Sequence, residues 1–88
     1  MTLTFEAFQD TATEYHVSEG ARMLRIPVPE EYFEGTATIL IYDGDFYIER
    51  LTDGQYCLSD DRSLVFFTDR ERAERHLFDH VYLPEIAQ

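Results

Sequence analysis

The two histidines His76 and His80 are the nearest approach to a metal site in this sequence. They are four residues apart in a segment with helical spacing, so both imidazoles can reach one ion from the same helix face. A closed zinc site needs two further ligands, and no spacing brings Cys57 or His16 near the pair. The H-E-x-x-H pattern of zinc hydrolases is also absent. We therefore predict ordinary surface or interface histidines, with no metal and no cofactor.

The other candidates for catalysis are equally incomplete. Cys57 lies in a segment typical of a strand, and a nucleophilic thiol needs an activating base and an electropositive setting. Asp43-Gly44-Asp45 matches only a fragment of a calcium loop, because the twelve-residue ligand pattern is missing. The sequence has no glycine-rich phosphate loop and no Ser-His-Asp arrangement. We predict that the chain is not an enzyme.

Charge is the strongest global feature of the chain. The 18 Asp and Glu residues outweigh 7 Arg residues, lysine is absent, and the net charge is −11. Such a chain is repelled by nucleic acid and by anionic membranes, and it is attracted to basic protein surfaces. We predict a protein partner with a basic, nucleic-acid-binding groove, and neither direct nucleic-acid binding nor membrane binding. Solubility or a high-salt habitat also explains such acidity, and these alternatives stay open.

The carboxylates fall into three groups that can meet such a partner. In a predicted N-terminal helix, every fourth residue is acidic, which places carboxylates about 6 Å apart on one stripe. In a predicted β-meander, the first and third turns lie at the same end of the sheet. A third group surrounds two aromatic residues between these elements. The predicted partner-binding residues are Glu6, Asp10 and Glu14 on the helix, Asp43, Asp45, Asp60 and Asp61 at the sheet end, and Glu30, Glu31 and Glu34 in the third group.

In size and charge, the chain is similar to small phage-encoded inhibitors of host defence, such as anti-CRISPR and anti-restriction proteins. That resemblance implies competition with nucleic acid for the basic groove of a host protein. A DNA duplex presents one charge per roughly 1.7 Å of its axis, and spaced carboxylates can substitute for some of these phosphates. We predict a non-enzymatic acidic binding protein that acts as a nucleic-acid mimic.

The fold that must position these carboxylates is predicted to be α+β, with residues 1–88 forming one domain. Apolar residues at spacings of three and four predict a first helix over residues 2–15, capped by Thr2 or Thr4. Two prolines predict an edge strand or extended arm over residues 22–28. The short acidic and aromatic stretch that follows is predicted to form one helical turn.

An antiparallel four-stranded β-meander is predicted next, because three turn sequences separate runs rich in β-branched and aromatic residues. Its predicted strands are residues 36–42, 46–51, 56–59 and 64–67. The C-terminal helix is predicted to begin at a capping box, Thr68 to Glu71, and to stop at Pro84. We expect the N-terminal and C-terminal helices to pack on one face of the sheet.

The sheet face away from the helices offers an alternative binding surface. We predict that it exposes Leu40, Tyr42 and Tyr47, a partly apolar patch suited to a protein partner or to homodimerisation. The alternative function is therefore a protein–protein interaction module, such as a subunit, an adaptor or a toxin-neutralising immunity protein. Charge would then contribute solubility and association rate.

The location of the chain is predicted to be cytoplasmic. The N-terminus has no basic region followed by an apolar run, and no apolar stretch is long enough to span a bilayer. The single cysteine, Cys57, cannot form an internal disulfide, which is consistent with a reducing compartment.

Overall fold

The computed structural model describes residues 2–17, 35–60 and 62–87. In these ranges the helical elements are α1 (Phe5–Asp10), α2 (Arg70–Leu77), a π-helical turn (Phe78–Tyr82) and α3 (Leu83–Ile86). The strands are β1 (Thr13–His16), β2 (Thr36–Tyr42), β3 (Phe46–Leu51), β4 (Tyr56–Ser59) and β5 (Leu64–Phe67). They form an antiparallel sheet in the order β1-β2-β3-β4-β5.

The predicted α+β class is confirmed, but the described sheet has five strands and not four. The difference lies in the N-terminal segment, where the predicted helix over residues 2–15 ends at Asp10. Thr13–His16 instead pairs with the outer edge of β2, with Thr13 opposite Ile41. Backbone pairing with β2 overrides the helical spacing of the aromatic residues, because it satisfies an otherwise unpaired strand edge.

α1 is a short helix with defined caps at both ends. The Thr4 hydroxyl accepts a hydrogen bond from the N–H of Ala7. Of the two predicted caps, Thr2 and Thr4, the N-cap is therefore Thr4. At the other end, the N–H of Thr11 bonds the Phe8 carbonyl at 3.1 Å. The helix is therefore only long enough to bury one aromatic ring completely, that of Phe8.

The C-terminal helix differs from its prediction at both ends. Its N-cap is Asp69, which accepts from the N–H of Arg72, so the predicted Thr68 capping box is wrong by one residue. Pro84 does not stop the helix, because it lies in the first turn of α3, where a missing N–H is tolerated. The preceding π-helical turn closes with the N–H of Leu83 bonded to the Phe78 carbonyl.

The core lies between the helices and one face of the sheet. Phe8 stacks on Tyr42 at 5.1 Å between ring centroids and contacts Tyr82 at 4.6 Å. Both ends of the chain therefore pack on the same sheet face, as predicted. The buried cluster comprises Phe8, Leu40, Tyr42, Ile48, Leu58, Ala73, Leu77, Phe78 and Tyr82.

Strand register corrects the predicted open face. Leu40 lies opposite Ile48, and Tyr42 lies opposite Phe46, so both belong to the helix-covered face and are buried. Tyr47 lies opposite Ile41 and points to the other face. Alternation within one strand does not determine which face its neighbour shares. The three-residue connection between β2 and β3 determines which residues of the two strands share a face, because it fixes their pairing.

Two predicted elements and several predicted residues lie outside the described ranges: the extended arm over residues 22–28, the helical turn over residues 30–34 with Glu30, Glu31 and Glu34, and Asp61 in the third turn. In the part of the chain that the structure describes, no helix is both long enough and apolar enough to cross a membrane.

Candidate functional site

The connection between β2 and β3 is a tight turn that presents two aspartates to solvent. Asp43 and Gly44 both adopt positive φ, 51° and 79°, which is the pattern of a type I′ turn. The N–H of Asp45 closes it by bonding the Tyr42 carbonyl at 3.3 Å. Asp tolerates this backbone better than most residues, and Gly has no Cβ to oppose it. The local sequence therefore fixes an exposed pair of carboxylates at the sheet end.

Thr11 connects this turn to the end of α1. Its hydroxyl accepts a hydrogen bond from the N–H of Asp43 at 2.8 Å and donates one to the Phe8 carbonyl at 2.7 Å. Asp10, which is exposed, directly precedes Thr11, so this bond places the backbone of Asp10 close to the turn. We call Asp10, Asp43 and Asp45 the acidic end. Within the described ranges, none of these three carboxylates has an ion pair or a side-chain hydrogen bond.

The predicted carboxylate stripe on the first helix does not form. Glu6 and Asp10 are both exposed on α1, but Glu14 lies on β1. There it is opposite Leu40 and reaches Arg70, with 3.9 Å between a carboxylate oxygen and a guanidinium nitrogen. The shorter helix therefore moves Glu14 away from Asp10 and gives it a cationic partner.

Asp60 lies in the predicted third turn but faces the protein. Its carboxylate accepts hydrogen bonds from the N–H groups of Arg62 and Ser63, each at 2.9 Å, and lies 3.2 Å from Nε2 of His76. The two backbone bonds, followed by the contact with His76, lower the pKa of Asp60 to about 2. Asp60 therefore closes its own turn and holds α2 against it, and its oxygens are not free for a partner.

The two histidines stack beside this turn. The ring centroids of His76 and His80 are 4.4 Å apart, and the Phe67 ring lies 5.3 Å from His76. Among the residues described, no group of three or more His, Cys, Asp or Glu side chains is arranged to hold a metal ion. His76 forms part of the contact between α2 and the β4–β5 turn, and the exposed His80 of the π-helical turn packs on His76.

A buried carboxylate, that of Glu74, connects α1, β2 and α2. Glu74 is only 4% exposed. It accepts from the Tyr42 hydroxyl at 2.6 Å, the Gln9 amide at 3.0 Å and the Arg70 guanidinium at 3.3 Å. Burial, and then the bond to Glu74, raise the pKa of Tyr42. Its position next to Ala73, on the side of α2 that is buried, is the feature of the sequence that could have predicted the burial of Glu74.

A second buried carboxylate lies on the other sheet face. Glu49 is 4% exposed, and the Thr36 hydroxyl donates to it at 2.9 Å. The register of β2 against β3 shifts between Thr36 and Thr38. This shift brings the Thr36 hydroxyl within reach of the Glu49 carboxylate. Cys57 is directly opposite Glu49, and burial, together with the carboxylate, raises the pKa of its thiol to about 11. Such a thiol stays protonated at neutral pH, which makes it a poor nucleophile.

Cationic side chains gather at the opposite end of α1 from the acidic end. Arg72 and Arg75 line an open groove of about 410 Å³ with Phe5 and Glu71. The Arg75 guanidinium lies 4.7 Å from the centroid of the Phe5 ring and 3.2 Å from the Asp79 carboxylate. Carboxylates therefore accompany the arginines here, whereas no arginine in the described ranges is bonded to the acidic end.

Comparison with known proteins adds no relative to this geometry. No protein-family model, no curated protein and no solved structure matches the chain.

Proposed function

We propose that the chain is a non-enzymatic acidic protein whose acidic end occupies a basic, nucleic-acid-binding surface of a partner protein. The partner would then be unable to hold nucleic acid, so the chain would act as an inhibitor of the nucleic-acid-mimic class. A host-defence protein in the cytoplasm is the partner that the resemblance to anti-CRISPR and anti-restriction proteins suggests.

The observation that supports this proposal is the hydrogen bond from the N–H of Asp43 to the Thr11 hydroxyl. It joins two separate chain segments, which together carry three exposed carboxylates. Lysine and arginine clusters that bind phosphates bind carboxylates by the same charge-assisted hydrogen bonds. Because no arginine of the described ranges neutralises Asp10, Asp43 or Asp45, these residues keep their charge for a partner.

The alternative, an interaction module that docks through an aromatic sheet face, is not retained. Two of its three predicted residues, Leu40 and Tyr42, are buried beneath the helices. A partner can contact them only if the core opens, which would cost the burial energy of two large side chains, about 1.5–3 kcal/mol each.

The test is capture of partners from a bacterial lysate on the immobilised chain, with two variants of equal net charge. One carries Asp10→Asn, Asp43→Asn and Asp45→Asn. The matched control carries Asp53→Asn, Glu71→Gln and Glu85→Gln, which are exposed carboxylates elsewhere. Each removes three of the negative charges and changes the net charge from −11 to −8.

We expect the wild type to capture a nucleic-acid-binding protein that both salt and duplex DNA release. Three exposed charge contacts contribute roughly 1–3 kcal/mol in total, so the acidic-end variant should bind about tenfold or more weakly. The control should change affinity by less than about threefold. Equal losses in both variants, or a partner that DNA cannot release, would contradict the proposal.

A further inference from the structure

Among the described strands, β5 lies at an edge of the sheet, and the backbone groups on its outer side have no partner in the described ranges. In the described sheet, β4 is its strand neighbour and no strand follows it. The bond from the N–H of Asp60 to the Ser63 carbonyl, at 3.1 Å, closes the β4–β5 hairpin. In the antiparallel pattern, Val65 then bonds inward to Leu58, so Leu64 and Phe66 direct their N–H and C=O groups away from the sheet.

The composition of this edge differs from that of the rest of the protein. Residues 63–68, with the sequence SLVFFT, carry no charge, although 28% of the whole chain is charged. Phe66 is 54% exposed on the sheet face away from the helices. Natural edge strands usually carry a lysine, a proline, an inward charge or a bulge that prevents further pairing. β5 has none of these features.

We propose that two copies of this chain associate through β5, antiparallel, about a two-fold axis at Val65. Leu64 of each copy then lies opposite Phe66 of the other, and the four outward N–H groups find four carbonyls. The two sheets become one continuous sheet. The exposed Phe66 ring covers Leu64 of the second copy, which removes the largest exposed apolar side chain of the described residues from water.

Charge at the ends of β5 favours a second copy over an unrelated strand. Arg62 precedes the strand and Asp69 follows it, and both are exposed. Antiparallel pairing about Val65 brings Arg62 of each copy opposite Thr68 of the other, next to Asp69. The edge is therefore complementary to itself in apolar side chains and in backbone hydrogen bonds, and Arg62 of each copy lies beside Asp69 of the other.

The same geometry predicts an unusual response to salt. Each copy carries a net charge of −11, so the two molecules repel one another at low ionic strength. Salt screens that repulsion and leaves the apolar contact and the backbone bonds largely intact. Association through β5 should therefore strengthen as salt is added, whereas docking of the acidic end on a basic partner should weaken.

The first experiment measures molar mass by sedimentation for the purified chain between about 10 mM and 500 mM NaCl. Phe66→Lys adds a charge to the edge, and Ala87→Lys adds the same charge at the exposed C-cap of the last helix. We expect a dimer that grows with salt, a dissociation constant at least about tenfold higher for Phe66→Lys, and a change below about threefold for Ala87→Lys. A monomer at every salt concentration, or a dimer insensitive to Phe66→Lys, would overturn the proposal.

A second experiment does not depend on disrupting the edge. Opposed residues of a non-hydrogen-bonded pair have Cα atoms about 4.5 Å apart, within the range that a disulfide bridges. Val65→Cys should therefore form a crosslinked dimer under mild oxidation, and Ser59→Cys, exposed one strand further in, should not. The native Cys57 is buried and does not interfere. Equal crosslinking of both variants, or none at Val65→Cys while the chain remains folded, would refute pairing about Val65.

Discussion

Glu49 is a carboxyl group whose surroundings favour its neutral form. Burial raises its pKa above the ordinary value of 4.5, and the hydrogen bond from Thr36 only partly opposes this. The folded protein therefore binds more protons than the unfolded chain as pH rises above 4.5. Consequently, the free energy of unfolding should fall as pH rises through the raised pKa of Glu49. Glu49→Gln should flatten this part of the profile, which urea denaturation at several pH values measures.

Asp60 is a control for that measurement, because its pKa is shifted in the opposite direction. Its pKa is lowered to about 2, so the unfolded chain binds more protons than the folded one between about 2 and the ordinary value of 3.8. The stabilisation by Asp60 is present above that range and is lost as pH falls through it. Asp60→Asn should flatten the acid limb alone. A Glu49→Gln profile that remained as steep as the wild type above pH 4.5 would contradict the assignment to Glu49.

Among the elements, the turns and strands of the meander were predicted from local sequence, the ends of the C-terminal helix were not, and β1 was missed because a distant strand fixes it. The Asp43-Gly44 turn follows from two residues that accept positive φ. The end of α1 does not, because Thr13 becomes a strand residue only by pairing with Ile41, 28 positions away. The acidic end was half predicted for the same reason. Asp43 and Asp45 lie together because they share one turn, and they were predicted as a group with Asp60 and Asp61. Asp10 was predicted on a helix stripe, and the hydrogen bond that brings its segment to the turn follows from no local pattern.

Thr11 tests whether the geometry of the acidic end matters, because Thr11→Val alters no charge. The valine keeps the shape of the side chain and removes the hydroxyl that bonds the N–H of Asp43. Stability should fall by about 1 kcal/mol, the contribution of a typical hydrogen bond, and partner capture should fall several-fold. Thr4→Ala is the matched control, because loss of an N-cap costs a similar amount and leaves the acidic end intact. Equal loss of capture in both variants would attribute the effect to stability and not to geometry.

At the scale of the whole molecule, unbalanced charge acts on stability as well as on binding. The fold extends 33 Å along its longest axis, and the Debye length is about 30 Å at 0.01 M salt but about 8 Å at 0.15 M. At the lower concentration, nearly all carboxylates repel one another across the molecule. At the higher concentration, only neighbours do. The exposed ion pair of Arg75 with Asp79 opposes this effect only weakly, because surface pairs contribute about 0–1 kcal/mol.

The free energy of unfolding should therefore increase with NaCl, with most of the gain below about 0.15 M. Chemical denaturation in urea, which adds no ions, measures this directly. The variant with Asp10→Asn, Asp43→Asn and Asp45→Asn should be more stable than the wild type at low salt and should gain less from added salt, because it has already lost three like charges from one end. A fold that salt destabilises would show that the ion pairs of Arg70 and Arg75 outweigh the repulsion. The net charge would then be a poor guide to the energetics of this surface.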